Sequence, residues 1–220
     1  MGQSETKKDF EYKNVSIEWY GHDSFSITDK DSKKTVYIDP FNLNKHKGTL
    51  KSADVILITH SHYDHYDKKS IELISNYSTR IFVPKDVDGS LNLGIITTIE
   101  PEIDMDLGFV KIETVAAYNI NKPFHPKANN WVGYIVVFGS TRIYHAGDTD
   151  LIPEMRNLGN IDIALLPVSG KYVMTATEAA EACNIIHPTI AIPMHYGSII
   201  GSEKDAKIFK ELSKFKTIIL

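Results

Sequence analysis

The stretch Thr59-His60-Ser61-His62-Tyr63-Asp64-His65-Tyr66-Asp67 packs three histidines and two carboxylates into nine residues, directly after the apolar run Val55-Ile56-Leu57-Ile58. Neutral imidazole and carboxylate are ligands that Zn²⁺, Mn²⁺ or Fe²⁺ accept. His60 and His62, two residues apart at the end of an extended strand, point the same way. Asp64 and His65 follow where the chain must turn, and so can face a second cation from another direction. The pattern His-x-His-x-Asp-His therefore offers two ligands to each of two adjacent metals. A solvated loop would not need three histidines at this spacing.

Around that stretch the chain reads as strands first, then strands alternating with helices. Val15 to Tyr20 alternates apolar and polar residues, Gly21-His22-Asp23 turns it, and Ser24 to Thr28 returns. Thr35 to Ile38 ends in Asp39-Pro40. Asp67 is placed to cap a helix through Ile71 and Ile74 to about Tyr77. Strand-like segments follow to Ala116, with Gly108 as a hairpin turn. Residues 118–130 are irregular, and Trp131 to Phe138 pairs with Thr141 to His145 around Gly139-Ser140. A short helix is expected over Leu151 to Leu158, one starting at Thr175 or Thr177, and a last one capped by Ser202. Residues 1–14 read as a flexible tail and 15–220 as one domain, a mixed sheet sandwich flanked by helices.

Composition bounds the function. The 220 residues are 42% apolar and 24% charged with a net charge of −4, ordinary for a globular chain and poor for a general electrostatic grip on nucleic acid. No run approaches the length of a membrane span, and the N-terminus lacks the apolar core of a signal peptide. A lone Cys183 forms no internal bridge, which fits a reducing, cytoplasmic compartment. A small-molecule substrate is expected, with no membrane and no nucleic-acid partner; the oligomeric state, a homo-oligomer included, stays open.

Two further ligand candidates stand at strand ends, where ligands gather in layered α/β folds. Asp148 follows the strand containing Ile143 and Tyr144, with Gly147 letting the backbone approach; the bland alternative is a turn cap. His195 follows Ile190 to Met194, against the alternative of a core histidine. His145 reads as a core or supporting residue, Asp39 as a carboxylate that either orients a ligand histidine or caps a turn. His46 is expected to be exposed, His187 to complement a helix end, and Lys171 to be solvated.

The ordered motifs His-x-His-x-Asp-His, Tyr-His-Ala-Gly-Asp-Thr and Ile-Pro-Met-His-Tyr-Gly resemble the metallo-β-lactamase fold hydrolases. The opening Trp-Tyr-Gly-His-Asp-Ser-Phe and Ile-Asp-Pro-Phe resemble its small single-domain branch, which includes metal-dependent hydrolases and the ascorbate-6-phosphate lactonase group. The resemblance implies a four-layer αβ/βα sandwich with a dinuclear site at one edge. His60, His62, Asp64, His65, Asp148 and His195 are then the metal ligands, with Asp148 bridging two divalent cations, Zn²⁺ before Mn²⁺ or Fe²⁺. Such cations make a hydroxide nucleophile that cleaves an ester, lactone, amide or phosphodiester. Asp64 would orient it or take its proton, and His22, in the first hairpin turn, would sit at the metal edge as a second catalytic group.

One departure stands out. The family supplies another histidine after the strand near Val115-Ala116-Ala117, but here the chain reads Tyr118-Asn119-Ile120-Asn121. His125 lies a few residues on, within reach of the site on an extended loop, either as a ligand or as a substrate contact; the substrate contact is the expectation carried forward. Rival functions are an RNA phosphodiesterase of the same fold, which would need a basic arm, and a non-catalytic metal-stabilised binding module, which the absent loop histidine favours. A redox di-iron protein is disfavoured by His62.

Overall fold

The computed structural model describes residues 9–46, 48–87, 91 and 94–220. Two seven-stranded sheets face each other. The first runs in the order β1 (Asp9–Tyr12), β2 (Val15–Gly21), β3 (Ser24–Asp29), β4 (Thr35–Ile38), β5 (Val55–Leu57), β6 (Arg80–Pro84), β7 (Ile95–Ile99). The second is ordered β14 (Lys216–Thr217), β13 (Ile190–Met194), β12 (Ile163–Pro167), β11 (Thr141–His145), β10 (Val132–Phe138), β9 (Lys111–Ala116), β8 (Asp104–Asp106). In both, four strands pair antiparallel before the pairing turns parallel, β4 to β7 in one and β11 to β14 in the other.

Side-chain alternation builds the layers. Val36, Ile38, Val55, Leu57 and Phe82 point into the core shared with Val132, Tyr134, Ile143 and Leu165 of the second sheet. Their neighbours Tyr37, Ile56, Ile81 and Val83 face outward onto α1 (Lys68–Ile74), which buries Ile71 and Ile74 there. Each such aliphatic side chain taken from water contributes about 1.5–3 kcal/mol. Asp67 caps α1, accepting from Lys69 N at 3.1 Å and Ser70 Oγ at 2.7 Å. That helix stops at Ile74, short of Tyr77.

The other outer layer is α2 (Ala176–Ile186) and α3 (Glu203–Leu212), packed on β12, β13 and each other. Thr175, not Thr177, starts α2: its Oγ1 accepts from Glu178 N while Glu178 Oε2 accepts from Thr175 N. Small residues on its inner face, Ala179, Ala182 and Cys183, are fully buried and let the helix lie close to the sheet. The result is the four-layer αβ/βα sandwich that the resemblance implies.

Three expectations need correction. The tail does not extend to residue 14: residues 9–12 pair with β2, Phe10 and Tyr12 resting against the core, while residues 1–8 lie outside the described residues. Residues 153–157 form only a 3-10 turn, begun by Pro153 and ended before Gly159. His46 is not free in solvent; it is half-buried against Tyr20, with Nε2 3.5 Å from Glu18 Oε1. Among the described residues no helix is long and apolar enough to cross a membrane.

Candidate metal centre

Parallel pairing puts the carboxyl ends of strands on one edge. Asp39 follows β4 and Thr59-His60 follow β5; Asp148 follows β11, Ser169 follows β12 and His195 follows β13. The antiparallel partners add the first hairpin turn after β2, with His22 and Asp23, and the loop after β9, with Asn119 and His125. Three of these, Asp39 (φ 45°), His22 (φ 53°) and His195 (φ 59°), are in the left-handed region that non-glycine residues avoid. Strained backbone of this kind costs about 1–3 kcal/mol per residue and collects at functional sites.

The carboxylate of Asp148 is the hub. Its Oδ2 lies 3.1 Å from His125 Nε2, 3.2 Å from His195 Nε2 and 3.9 Å from His60 Nε2, and its Oδ1 lies 3.6 Å from His65 Nε2. Two groups of ligand atoms meet there, each within 4.8 Å of one another: His60, His62 and His125 on one side, Asp23, His65, Asp148 and His195 on the other. A third such group, His22 with His65 and His195, overlaps the second. His60 Nε2 and His62 Nδ1 face each other at 3.0 Å.

The far nitrogen of each buried ring is occupied. Thr59 Oγ1 donates to Asp39 Oδ2 at 2.6 Å and so accepts from His60 Nδ1 at 2.9 Å. His65 Nδ1 donates to Asp39 Oδ2 at 2.7 Å, His125 Nδ1 to Asn119 Oδ1 at 3.1 Å, and His195 Nδ1 sits 2.8 Å from Ser169 Oγ. With Nδ1 engaged, Nε2 is the atom each ring turns towards Asp148, the arrangement that orients metal-ligating histidines.

Several of the inward atoms have no hydrogen-bond partner. His65 Nε2, His125 Nε2, Asp148 Oδ1, His22 Nδ1 and both oxygens of Asp23 are buried with no hydrogen bond. An unmade hydrogen bond of this sort costs about 1–3 kcal/mol, more for a charged group. Every one of these atoms is a metal donor, and they face one space, so the set fits divalent cations. Electrostatics couple these groups. Burial lowers the His65 imidazole, but Asp148 and Asp39 outweigh it and hold it well above its ordinary value. Burial raises the Asp148 carboxyl, but His195, His65 and His125 outweigh it and hold it well below the ordinary carboxylate range. Burial drives His60 well down, towards the neutral ring a metal requires. Burial, with Asp148 beside it, pushes Asp23 well up.

His125, expected as a substrate contact, is turned inward by a loop that folds back on itself. Asn119 accepts from His125 N and donates to Asp150 and to Tyr172 O, while Ile120 N bonds Asp150 Oδ2 and Lys122 reaches Asp150 and Val173 O. The position without a histidine thus holds the asparagine that aims the later one. Asp64 stands apart from the three ligand groups: its Oδ2 meets His22 Nε2 at 3.1 Å and its side chain is 14% exposed. Burial raises its carboxyl, but the hydrogen bond from His22 and the charge of His65 bring it down to about 2. His145 supports from behind, its Nδ1 accepting from Gly147 N and its Nε2 donating to Asp23 O.

Sequence reasoning passed over Asp23, Thr59, Asn119, Ser169 and Trp131. The Trp131 ring lies 4.9 Å from His60 and 5.0 Å from His62, and its Nε1 donates to Asp86 Oδ2, which also holds Ser61 Oγ. The first hairpin is tied to the last of these strands: His22 O accepts from Trp19 Nε1 at 2.9 Å and from His195 N at 3.2 Å. Of the peripheral residues, His187 closes α2 in a left-handed conformation and packs on Phe215, and Lys171 is exposed beside Tyr172.

Comparison with known proteins places this geometry. Residues 16–195 match the model of the β-lactamase superfamily domain. A metal-dependent hydrolase of Thermoplasma volcanium is 34% identical over 209 residues, 91% of this chain and 92% of that protein. One of Thermococcus onnurineus is 33% identical over 219 residues, covering 94% and 96%. A crystal structure from Parabacteroides distasonis, described as a candidate metal-dependent hydrolase, superposes with a TM-score of 0.84 at 32% identity, covering 97% of this chain and 98% of that one.

Proposed function

The chain belongs to the β-lactamase superfamily domain family and is one of its metal-dependent hydrolases, and on that premise we propose that it cleaves an ester, lactone or phosphodiester bond in a small substrate at a dinuclear centre. The observation that carries the reading is the Asp148 carboxylate set between two groups of inward-facing imidazoles. His60, His62 and His125 would hold one cation, and His65 and His195 a second, with Asp148 shared. Three imidazoles suit Zn²⁺. Bound there, the cations acidify a water and polarise the scissile carbonyl or phosphoryl oxygen.

The protein's own groups do the positioning. Asp64 stays ionised at neutral pH and orients the attacking water at its carboxylate; a carboxyl near 2 is too acidic to store the proton. His22, kept neutral by burial, fixes Asp64 through Nε2. Trp131 walls the first histidine group on one side, its ring 4.9 Å from His60 and 5.0 Å from His62. Around the site Tyr63 and Phe124 are exposed, with Phe41 6.3 Å from Tyr63 and Tyr172 4.6 Å from Phe124, ring to ring. These aromatic faces suit the apolar body of a small organic substrate more than a polyanionic strand. The rival of a non-catalytic binding module drew on an absent loop histidine; with His125 beside His60 and His62, that support falls away.

The test is metal analysis of the purified protein followed by a panel of esters, lactones and phosphodiesters, with His62→Ala alongside. The variant should lose the cation of the first group, about one per chain, together with turnover; a variant that kept both would refute the assignment.

A further inference from the structure

We propose that the cavity on the outer face of the second sheet, beside Trp131, is a second ligand site for a small organic cation with an apolar body, and that its occupant braces the loop carrying His125. The site lies outside the metal centre and goes beyond the hydrolytic reading above.

The cavity has a volume of about 360 Å³, room for a single-ring molecule. Helices α2 and α3 pack on β12 and β13, whereas the outward side chains of β9 and β10 are left to line this space. Val115, Ile135 and Leu158 give it an apolar floor. Its rim carries the carboxylates of Glu102, Asp104, Glu113 and Glu154. Of the nearby cations, Arg142 forks onto both oxygens of Glu113, and Lys127 meets Glu154 at 2.8 Å. Glu102 and Asp104 are exposed, and among the described residues neither makes an ion pair. An ammonium on an apolar body matches this wall in charge and in surface, and an anion is repelled.

Behind the floor stands a polar group without a partner. Tyr144 lies across from Ile135 in the pairing of β10 with β11, on the same face; its fully buried Oη makes no hydrogen bond, and the charge of Glu154 reaches it. A donor entering between Ile135 and Glu154 gives that hydroxyl an acceptor's role.

The remaining wall is the loop that carries His125, with Tyr118 at one end and Lys127 and Trp131 at the other. Tyr118 Oη donates to Glu154 Oε2 at 3.0 Å, and Lys127 Nζ lies 4.4 Å over the Tyr118 ring. Between these ends, Asn119 N donates to His125 O at 2.7 Å and His125 N donates to Asn119 Oδ1 at 3.0 Å. A ligand held against Tyr118 and Lys127 therefore fixes both ends of the segment whose interior aims His125.

The test follows the methyl resonances of Val115, Ile135 and Leu158 in the purified protein during titration with benzylamine, its neutral counterpart benzyl alcohol, and benzoate. Benzylamine should shift all three residues and bind about tenfold more tightly than benzyl alcohol, and benzoate should not bind. The double variant Glu102→Gln with Asp104→Asn leaves the floor and the metal centre intact and should weaken benzylamine about five- to tenfold. With benzylamine at about ten times its Kd, amide exchange at Asn119 and His125 should slow about tenfold. Absent methyl shifts, the behaviour of an ordinary water-filled cleft, overturn the proposal. So do equal affinities for the three probes, an unweakened double variant, or exchange at Asn119 and His125 that ignores the ligand. Benzylamine taken up at the metal centre instead would perturb His60 and His62 while sparing the methyls, and overturns it too.

Discussion

Asp39 Oδ2 accepts from His65 Nδ1 at 2.7 Å, and the same carboxylate takes both the backbone N–H and the hydroxyl of Thr59. A single buried acid therefore sets the ring of His65 directly and that of His60 through Thr59. Replacing Asp39 by Asn leaves the shape and removes the charge. Metal affinity should fall about 10–100-fold, read by competition with a chromophoric chelator, while the fold persists by circular dichroism. Unchanged affinity would mean that Asp39 serves the turn alone.

His125→Ala should resemble His62→Ala. Each removes one of three imidazoles from the same group, so each should release about one cation per chain in elemental analysis and abolish hydrolysis. A His125→Ala protein that kept its metal and only raised KM would return His125 to substrate binding.

Gly147 (φ 63°) leads into Asp148, and a Cβ there would stand 2.9 Å from Val132 O and 3.2 Å from Thr59 side-chain carbons. Gly147→Ala should cost about 1–3 kcal/mol for crowding in denaturant unfolding, on top of a left-handed backbone cost of about 1–2 kcal/mol. Gly139 has a similar φ of 58° but open space, so Gly139→Ala should lose only the smaller backbone cost, about 1–2 kcal/mol. Equal losses would show that crowding at residue 147 is immaterial.

Asp162 ties the first sheet's edge to the second: it accepts from Tyr12 Oη, Lys13 Nζ and Arg142 N. Burial raises its carboxyl, but the Lys13 and Arg142 hydrogen bonds outweigh it and leave it below its ordinary value of 3.8. A depressed folded pKa means that the stabilisation is present above the unfolded value and lost as pH falls through the folded one. Asp162→Asn should thus be less stable than wild type at neutral pH, the gap closing below about pH 4. A gap independent of pH would assign the effect to packing.

Cys183 is fully buried on α2, and burial pushes its thiol up to about 12. Ellman's reagent should find no thiol in the native protein and about one per chain in denaturant. Rapid native labelling would mean that α2 opens away from β12.

The primary structure was most legible where local spacing carries the chemistry. His60, His62 and His65 sit in one turn, and Asp148 and His195 follow apolar strands, so the topology brings together what the strand ends promised. Asp23 looked like an ordinary turn aspartate because its burial is created by β11 and β13, far along the chain. Asn119 hid its part because an asparagine that folds a loop reads as loop composition. The matching halves of the sandwich leave no repeat in the residues, since pairing direction is a property of backbone, not side chains. Residues 9–12 offered only Phe10 and Tyr12 as an alternating signal, too few to separate a strand from a tail.

The hydrogen bond from His195 N to His22 O joins residues 173 positions apart, and a contact of that span forms late. As the chain leaves the ribosome, the histidines of residues 60–65 are exposed long before Asp148 and His195 exist to enclose them. The nascent protein therefore passes through a stage with loose imidazoles and no finished cradle, and ion capture becomes an act of maturation, dependent on which cation the cell offers when the closing strand arrives.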